Sequence, residues 1–491
     1  ESSHQEHPFI ALVTPGTTQT QGDVYAMHFV YSGNFLGQVE VSQHDMIRMT
    51  MGIHSYEFGW KLTPGQSFQA PEVVLTYSSE GLGKMTRSLH DFYREHLIRG
   101  RWKTEKRPLL INSWEAAYFD FDDDKLVAFA HEAAKMGVDM LVMDDGWFGH
   151  RESDNSSLGD WYVNEKKLKG GLSSLIERVN AEGLKFGIWY EPEMISPDSD
   201  LYRAHPDWCL HVPNRENSPA RLQYVLDMTR KDVRDNIFAQ MYKVLSENKI
   251  DYVKWDFNRN LTEVGSALLP PERQKEVMHR FVLGTYDLMD RFVKAFPNIL
   301  FENCSGGGGR FDAGMLYYSP QIWCSDNTDA IERLTIQFGT SMCYPISSFG
   351  AHVAARPRTS LKTRGNVAMC GTFGYELDPR KLTDDEKAEV KQQIADYRKY
   401  HRLVREGDFY RAWEFVSPDK QEAMMTAVVM RQPETRYCVQ RLRGLDPKTY
   451  YQDEETGTIY SGAMLMNAGL NLTRDVYEDG TSVTKHFKAV K

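Results

Sequence analysis

The chain has 491 residues and a formal net charge of −10, with 58 Lys and Arg against 68 Asp and Glu. This length exceeds one small domain and favours two or three. The acidic balance argues against a nucleic-acid partner, because phosphate binding needs a basic face. Aromatic residues make up 12% of the chain, which suits either a large core or the stacking of sugar rings.

Six cysteines are scattered along the chain, at positions 209, 304, 324, 343, 370 and 438. Their spacing matches neither a Cys-X-X-Cys pair nor a zinc site, so we expect free thiols in a reducing, cytoplasmic compartment. No apolar run approaches the ~18 residues that a membrane helix needs. The chain begins Glu-Ser-Ser-His. Without an initiator Met, we expect it to be a fragment whose own start is missing.

The pattern changes three times along the chain. Residues 1–80 contain short alternating runs punctuated by Gly and Pro, which predicts a β domain. Residues 81–107 form a predicted helical linker, with Met85, Leu89 and Phe92 at helical spacing. Residues 108–405 alternate strand-length and helix-length segments, and residues 406–491 return to a β pattern that predicts a C-terminal β-sandwich.

Strand and helix alternation in the central region predicts parallel strand pairing. The predicted strands are 109–114, 140–144, 186–190, 224–227, 252–256, 299–302 and 322–324, with an eighth within 345–373. Eight strands over this length predict an α/β fold, a (β/α)8 TIM barrel. A doubly wound sheet is the alternative.

Two acidic clusters follow two of these strands. Asp256 lies in Lys-Trp-Asp-Phe-Asn-Arg at 254–259, and Asp326 lies in Ser-Asp-Asn-Thr-Asp at 325–329. The C-terminal ends of barrel strands carry the chemistry in such folds, and paired carboxylates among aromatic rings suggest glycoside cleavage. The alternatives are a structural ion pair between Asp256 and Lys254, and an N-cap role for Asp326 at a helix over 328–339.

Other polar groups at strand ends have more than one interpretation. Asp144 and Asp145 could accept hydrogen bonds from vicinal hydroxyls or bind a divalent metal such as Mg²⁺, the weaker option. Glu191 and Glu193 are rival catalytic acids, although side chains two positions apart hardly face one substrate together. The glycines at 306–309 lack the Gly-Lys-Ser/Thr of a phosphate loop and instead allow close approach of the backbone to a ligand.

Six motifs in order resemble those of glycoside hydrolase family 36, and in particular its bacterial α-galactosidases that degrade raffinose and melibiose. They are Asn-Ser-Trp-Glu-Ala at 112–116, Asp-Asp-Gly-Trp-Phe at 144–148, Trp-Tyr-Glu-Pro-Glu at 189–193, Lys-Trp-Asp-Phe-Asn-Arg at 254–259, Glu-Asn-Cys-Ser-Gly-Gly-Gly-Gly-Arg-Phe-Asp at 302–312 and Cys-Ser-Asp-Asn-Thr-Asp at 324–329. The resemblance implies hydrolysis of terminal α-galactosyl groups with retention, through a covalent galactosyl-enzyme. It makes Asp256 the nucleophile and Asp326 the acid/base.

The resemblance also assigns a sugar subsite and implies no cofactor and no metal. Its substrate-binding residues would be Trp114, Asp144, Asp145, Trp189, Arg221, Lys254, Asn258, Cys304 and Gly307. Asp144 and Asp145 would hold the galactose 4- and 6-hydroxyls, Lys254 and Arg221 the 3- and 4-hydroxyl side, and Asn258, Cys304 and the Gly307 backbone the 2-hydroxyl. Trp114 and Trp189 would wall the subsite.

Family members carry a larger N-terminal β-supersandwich, so residues 1–80 would be its C-terminal part. Many assemble as homotetramers, an assembly that truncation puts in question. The α-galactoside substrate is the partner that the resemblance implies, with neither nucleic acid nor membrane. An α-N-acetylgalactosaminidase, a transgalactosylase and a non-catalytic galactoside-binding protein are the alternatives. A retaining pair should place the carboxyl groups of Asp256 and Asp326 ~5–6 Å apart.

Overall fold

The computed structural model describes residues 4–355, 358–410, 413–430 and 438–490. Residues 1–3 and 491, at the outer ends of the two predicted terminal domains, lie outside these described ranges. The N-terminal region forms two antiparallel sheets, β1-β2-β5 and the ribbon β3-β4. Its strands are β1 (Phe9–Val13), β2 (Val24–Phe29), β3 (Phe35–Val41), β4 (Ile47–Ile53) and β5 (Val73–Ser78).

Helix α1 (Gly81–Phe92) follows these sheets and continues as a helical turn over Tyr93–Leu97. Met85 and Leu89 face the core, with 0% and 1% of their surface exposed, as their helical spacing predicts. A hydrogen bond of 2.9 Å between His28 Nε2 and Tyr344 Oη joins the N-terminal sheet to the central region. The predicted linker is therefore a packed helix.

The central region contains a closed barrel of eight parallel strands, so the predicted TIM barrel is confirmed. The strands of this region are β6 (Leu110–Asn112), β7 (Met140–Met143), β8 (Lys185–Tyr190), β9 (Met194–Ile195), β10 (Tyr224–Val225), β11 (Tyr252–Trp255), β12 (Leu300–Asn303), β13 (Gln321–Trp323), β14 (Phe349–Ala354) and β15 (Thr372–Glu376). Eight of these strands form the barrel, in the order β11-β12-β13-β14-β15-β6-β7-β8. Nearly every residue of these eight strands is buried, as expected for parallel strands covered on both faces.

The prediction of a barrel strand over 224–227 was wrong. Strand β10 pairs antiparallel with β9, in a two-stranded sheet separate from the barrel. A parallel neighbour of β8 needs a crossover whose helix packs back onto the sheet. The segment between β8 and β10 has only five-residue and shorter helices, so the chain folds back on itself. The barrel still has eight strands because β14 forms within the predicted range 345–373 and β15 forms as a further strand from the end of that range.

The helices are α2 (Trp114–Ala117), α3 (Asp123–Met136), α4 (Gly171–Ala181), α5 (Asp200–Ala204), α6 (Lys231–Glu247), α7 (Val277–Ala295), α8 (Ala313–Leu316), α9 (Ala330–Ser341), α10 (Leu361–Ala368) and α11 (Asp384–Glu406). Several begin and end at residues that local chemistry favours. Asp122 caps α3 by accepting from the Lys125 backbone N–H, and Gly137 ends it with a left-handed φ of 97°. Thr383 and Glu386 form a capping box at the start of α11.

The C-terminal region is a six-stranded sheet, β16-β17-β18-β23-β20-β21, with a two-stranded ribbon β19-β22. Its elements are β16 (Asp408–Tyr410), β17 (Glu414–Val416), β18 (Glu422–Val428), β19 (Val439–Gln440), β20 (Tyr450–Asp453), β21 (Ile459–Ser461), α12 (Gly462–Asn467), β22 (Leu470–Asn471) and β23 (Ser482–Val490). The hydrophobic core of this region includes Met425, Leu442 and Phe487. Through the described part of the chain, no helix is both long enough and apolar enough to cross a bilayer.

Candidate active site

A cavity of about 250 Å³ opens at the C-terminal ends of the barrel strands. In parallel barrels this end gathers the strand-end loops, so residues distant in sequence meet here. The cavity is lined by Trp114, Glu115, Tyr118, Asp144, Asp145, Arg151, Asp154, Trp189, Glu191, Arg221, Lys254, Asp256, Asn258, Trp323, Asp326, Thr328 and Glu376. Nine of the eleven residues predicted for the site are among them.

Asp256 follows β11 directly and is buried in the cavity wall. Its Oδ1 accepts hydrogen bonds from the backbone N–H groups of Phe257 at 2.9 Å, Ser305 at 2.9 Å and Gly306 at 3.3 Å. Its Oδ2 accepts from the Trp189 indole N–H at 3.2 Å. The carboxyl group is therefore surrounded by donors.

The pKa of Asp256 is lowered from its usual value. Burial alone would raise it, but the charge of Lys254 and the hydrogen bonds from Ser305, Asn258 and Phe257 outweigh burial. Asp256 is thus kept as a carboxylate. The alternative of an ion pair between Asp256 and Lys254 is not the contact that forms, because the ammonium of Lys254 bonds Asp144 Oδ2 at 2.9 Å.

Asp326 follows β13 and is exposed to the cavity. Its Oδ1 accepts one hydrogen bond, from the Trp323 indole N–H at 2.9 Å. Burial of the carboxyl group in the site raises its pKa, and the charge of Asp256 raises it further, against the opposing effects of Lys254 and Trp323. Asp326 therefore keeps its proton to a higher pH than Asp256 does.

The helix-cap interpretation of Asp326 was wrong. The N-cap of α9 is Asp329, whose side chain accepts from the backbone N–H groups of Ile331 and Glu332. Gly307 packs against Asp326 from behind, with a left-handed φ of 78°. A Cβ at Gly307 would lie 2.2 Å from the Asp326 backbone nitrogen. Only glycine fits there, so the glycine-rich segment shapes the seat of Asp326.

Asp144 and Asp145 follow β7 directly, and both carboxylates are already paired. Besides Lys254, Asp144 accepts from the Asn112 side chain at 2.7 Å. Asp145 forms a two-point ion pair with the Arg151 guanidinium, at 2.7 Å for each bond, and both residues are buried. These partners occupy oxygens that a divalent cation would need, so the geometry favours the hydroxyl-binding interpretation over the metal.

The two rival acids occupy different environments. Glu193 is fully buried and bonds Arg310 and the indole N–H of Trp255, so it is part of the supporting structure. Glu191 lines the cavity and accepts from the Gln223 side chain at 2.7 Å and the Asn258 backbone N–H at 2.5 Å. Burial and the Asp256 charge raise the pKa of Glu191 to about 8, despite these bonds.

Of the remaining predicted residues, some line the cavity and others are buried beside it. Trp114, Trp189 and Asn258 line the cavity, as does the exposed Arg221, which adopts a left-handed φ of 53°. Cys304 is buried beside the cavity without lining it, and its pKa is raised by burial and by the charges of the two aspartates.

Several lining residues were not predicted from the sequence. They are Glu115, Tyr118, Arg151, Asp154, Trp323, Thr328 and Glu376. Glu115 and Trp323 stand within or beside motifs that the sequence analysis singled out, so proximity to those motifs was an available signal. Arg151 lies six positions after Asp145 in a loop without periodicity, and its pairing depends on the folded loop.

Comparison with known proteins agrees with this geometry. A family model described as melibiase matches residues 67–407, and models of the glycosyl hydrolase family 36 N-terminal and C-terminal domains match residues 1–63 and 410–487. The α-galactosidase AgaA of Geobacillus stearothermophilus is 54% identical over 488 residues, covering 96% of this chain and 67% of AgaA. α-Galactosidase 1 of Pediococcus pentosaceus is 48% identical over 506 residues, covering 100% of this chain and 69% of that protein.

Solved structures share the fold of this chain. A variant of Geobacillus stearothermophilus AgaA in complex with raffinose matches with a TM-score of 0.97 and 52% identity, over 99% of this chain and 70% of that one. A second AgaA variant, in complex with stachyose, matches with a TM-score of 0.96 at the same identity and coverage. A barrel with two acids in one sugar-sized cavity, and these relatives, define the class as a glycoside hydrolase. The chain belongs to glycoside hydrolase family 36, within the melibiase group of α-galactosidases.

Proposed function

We propose that this chain hydrolyses terminal, non-reducing α-D-galactosyl groups of oligosaccharides such as melibiose and raffinose, with retention of configuration. The observation that carries this proposal is the opposite shift in pKa of Asp256 and Asp326 within one cavity. A retaining mechanism needs one carboxylate and one carboxylic acid at the same sugar. AgaA variants bound to raffinose and to stachyose support the substrate class.

In the first step, the Asp256 carboxylate attacks the anomeric carbon while Asp326 gives its proton to the departing glycosidic oxygen. A covalent galactosyl-Asp256 ester results, and Asp326 becomes a carboxylate. In the second step, Asp326 takes a proton from water, which displaces Asp256 from the anomeric carbon. Two inversions give net retention. The pair should therefore have carboxyl groups ~5–6 Å apart.

The other lining residues would recognise galactose. Asp144 and Asp145 would bind the 4- and 6-hydroxyls, and their pairing with Lys254 and Arg151 holds both acceptors in place. Lys254 and Arg221 would bind the 3- and 4-hydroxyl side. A site built around a hydroxyl discriminates strongly, because an unpaired buried acceptor costs about 1–3 kcal/mol.

The 2-position separates an α-galactosidase from an α-N-acetylgalactosaminidase. Asn258, the Cys304 thiol and the Gly307 backbone would surround a small 2-hydroxyl. Initial rates on nitrophenyl α-galactoside, α-N-acetylgalactosaminide and β-galactoside test this. We expect hydrolysis of the first only; equal or faster turnover of the second would favour the alternative.

Azide rescue separates the two catalytic roles. Asp256→Gly removes the nucleophile and opens a cavity, so azide should attack a galactosyl fluoride once and give the β-galactosyl azide. Asp326→Gly keeps the nucleophile, so a substrate with a good leaving group should still form the ester. Azide should then give the α-galactosyl azide. NMR of the products identifies each role, and the opposite pattern would reverse the assignment.

We further propose the division of the chain at 1–80, 81–107, 108–405 and 406–491. The homotetramer that the family resemblance suggests is a separate hypothesis about assembly. The packed core of the C-terminal sheet and the closure of the barrel support the division. Sedimentation of the purified chain tests the assembly, since a monomer at micromolar concentration would contradict it.

A further inference from the structure

Glu376 holds a position in the barrel that the proposed mechanism does not use. It is the last residue of β15, which lies four strands from β11 in either direction around the closed barrel. Glu376 therefore faces the cavity from the side opposite Asp256. Strand β13, which leads to Asp326, is two strands away on one side, and β7, which leads to Asp144, is two strands away on the other.

The carboxyl group of Glu376 is buried without a hydrogen-bond partner. It lines the cavity and is 5% exposed. Across the described ranges no hydrogen bond reaches it, and His352 Nδ1 lies 3.6 Å from its Oε2. Burial lowers the pKa of His352 to about 3, so that ring is neutral and supplies no compensating charge. A carboxyl group at the cavity wall that receives no hydrogen bond from the described residues is available to a polar group of a ligand.

The protonation of Glu376 suits a hydroxyl. Burial raises its pKa to about 7; the charges of Asp144 and Asp326 act in the same direction, while Lys254 and Arg333 oppose them. Below this pH the group is a carboxylic acid, which both donates and accepts a hydrogen bond. A sugar hydroxyl has the same dual capacity.

The order of groups around the barrel identifies which hydroxyl lies there, given the proposed function. Starting at the acid/base, the side through β12, β11 and β8 carries the groups that would face the 2- and 3-hydroxyls. The other side, through β14, β15 and β6, connects Asp326 at the glycosidic oxygen with Asp144 at the 4-hydroxyl. On a pyranose ring, that path passes the ring oxygen and carbon 5, and its one hydroxyl is the 6-hydroxyl.

We propose that Glu376 binds the galactosyl 6-hydroxyl and makes the enzyme selective for sugars with a hydroxymethyl group. Asp145 shares this region, but both of its oxygens already accept from Arg151. Within the described part of the chain, Glu376 accepts no such bond, and its one ion-pair contact is His352 Nδ1 at 3.6 Å. It is thus a substrate-binding residue that determines specificity, on the opposite wall from the nucleophile.

Two nitrophenyl substrates test this role: the α-D-galactoside and its 6-deoxy analogue, the α-D-fucoside. The wild type should prefer the galactoside in kcat/KM. Glu376→Met, of similar length but unable to form the bond, should lose roughly tenfold of that preference, the size of one net hydrogen bond in a dry site. Glu376→Gln, which keeps a donor and an acceptor, should retain most of it. Glu414→Met is the matched control, since Glu414 is a buried acid in the C-terminal sheet with a pKa raised to about 8.

A wild type that does not distinguish the two substrates would overturn this assignment. So would equal losses on both substrates in Glu376→Met, which would indicate a structural role. If Glu376→Met does not fold, Glu376→Asp retracts the acid by one methylene and should lose the same preference; an unchanged preference there would also overturn the assignment. A wild type inactive on every α-galactoside would instead contradict the proposed function itself, and this inference with it.

Discussion

The loops after β11 and β13 each bring one aspartate into the same cavity. The two carboxyl groups differ in their hydrogen bonds and in the direction of their pKa shifts. Asp256 is buried and accepts four hydrogen bonds beside a Lys ammonium. Asp326 is exposed to the cavity and accepts one hydrogen bond, from Trp323. The first has its pKa lowered and the second has it raised.

This contrast shows that donors, more than burial, separate the two acids. Burial acts to raise the pKa of both residues. What differs is the number of donors directed at each carboxyl group and the sign of the nearest charge. Because the ionised Asp256 itself raises the pKa of Asp326, each role depends on the other.

The largest expected effect comes from removing the first member of the pair. Asp256→Ala should lower kcat/KM on a nitrophenyl α-galactoside by at least roughly 10⁴-fold, because the Asp256 carboxylate is the group proposed to form the ester. Asp326→Ala should lose far less on this substrate, whose leaving group needs little protonation. Far-ultraviolet circular dichroism of both variants controls for folding. Losses of equal size would remove the distinction between the two loops.

A third carboxylate extends the comparison, because Asp145 is as buried as Asp256 but relies on one cation. Arg151→Met should leave Asp145 buried and unpaired, and should destabilise the protein by about 3–5 kcal/mol. Urea unfolding at pH 7 measures this. The double variant Arg151→Met with Asp145→Asn should recover much of the loss. A single variant as stable as the wild type would show that Asp145, too, is held by several donors.

The indole N–H groups of Trp189 and Trp323 allow the two aspartates to be compared through the pH dependence of kcat/KM. Each donates to one of the aspartates, so each favours the ionised form of its own partner. Trp323→Phe should raise the pKa of Asp326 and move the alkaline limb of the kcat/KM profile to higher pH. Trp189→Phe should raise the pKa of Asp256 and move the acid limb to higher pH. A profile in which both variants moved the same limb would contradict the separate assignment of the two residues.

The features that the sequence predicted well are those that a short, continuous stretch of residues determines. Asp144, Asp256 and Asp326 were predicted because each follows a strand. When strands and helices alternate, the C-terminal ends of all the strands lie at the same end of the barrel. The barrel strands β7, β8 and β11 lie where apolar runs predicted them.

What the sequence did not predict depends on contacts between distant segments. The run at 224–227 has strand composition, but its pairing is set by a returning loop that sequence periodicity does not describe. Arg151 reaches Asp145 only because the loop between β7 and α4 folds over the rim. The protonation of Glu376 and Glu191 follows from burial among neighbours on several strands, which no local pattern encodes.

The smallest expected effect concerns Glu191, the cavity acid that is buried like Asp256 but has its pKa raised like Asp326. Burial raises its pKa to about 8, so at pH 6 it is a neutral acid whose Oε1 accepts from Gln223 and Asn258. Glutamine reproduces that state. We therefore expect Glu191→Gln to change kcat/KM at pH 6 by less than about tenfold, an effect within the range of one net hydrogen bond.

Stability should respond to pH in a direction that identifies the same group. An unfolded Glu titrates near about 4.3, whereas folded Glu191 titrates near 8. Between these values the native state binds the extra proton, so the contribution of Glu191 to stability falls as pH rises through the window. Glutamine carries no such penalty. The urea midpoint of Glu191→Gln relative to the wild type should therefore increase from pH 5 to pH 8. A constant difference would mean that Glu191 is ionised throughout, and would return it to the set of candidate nucleophiles beside Asp256.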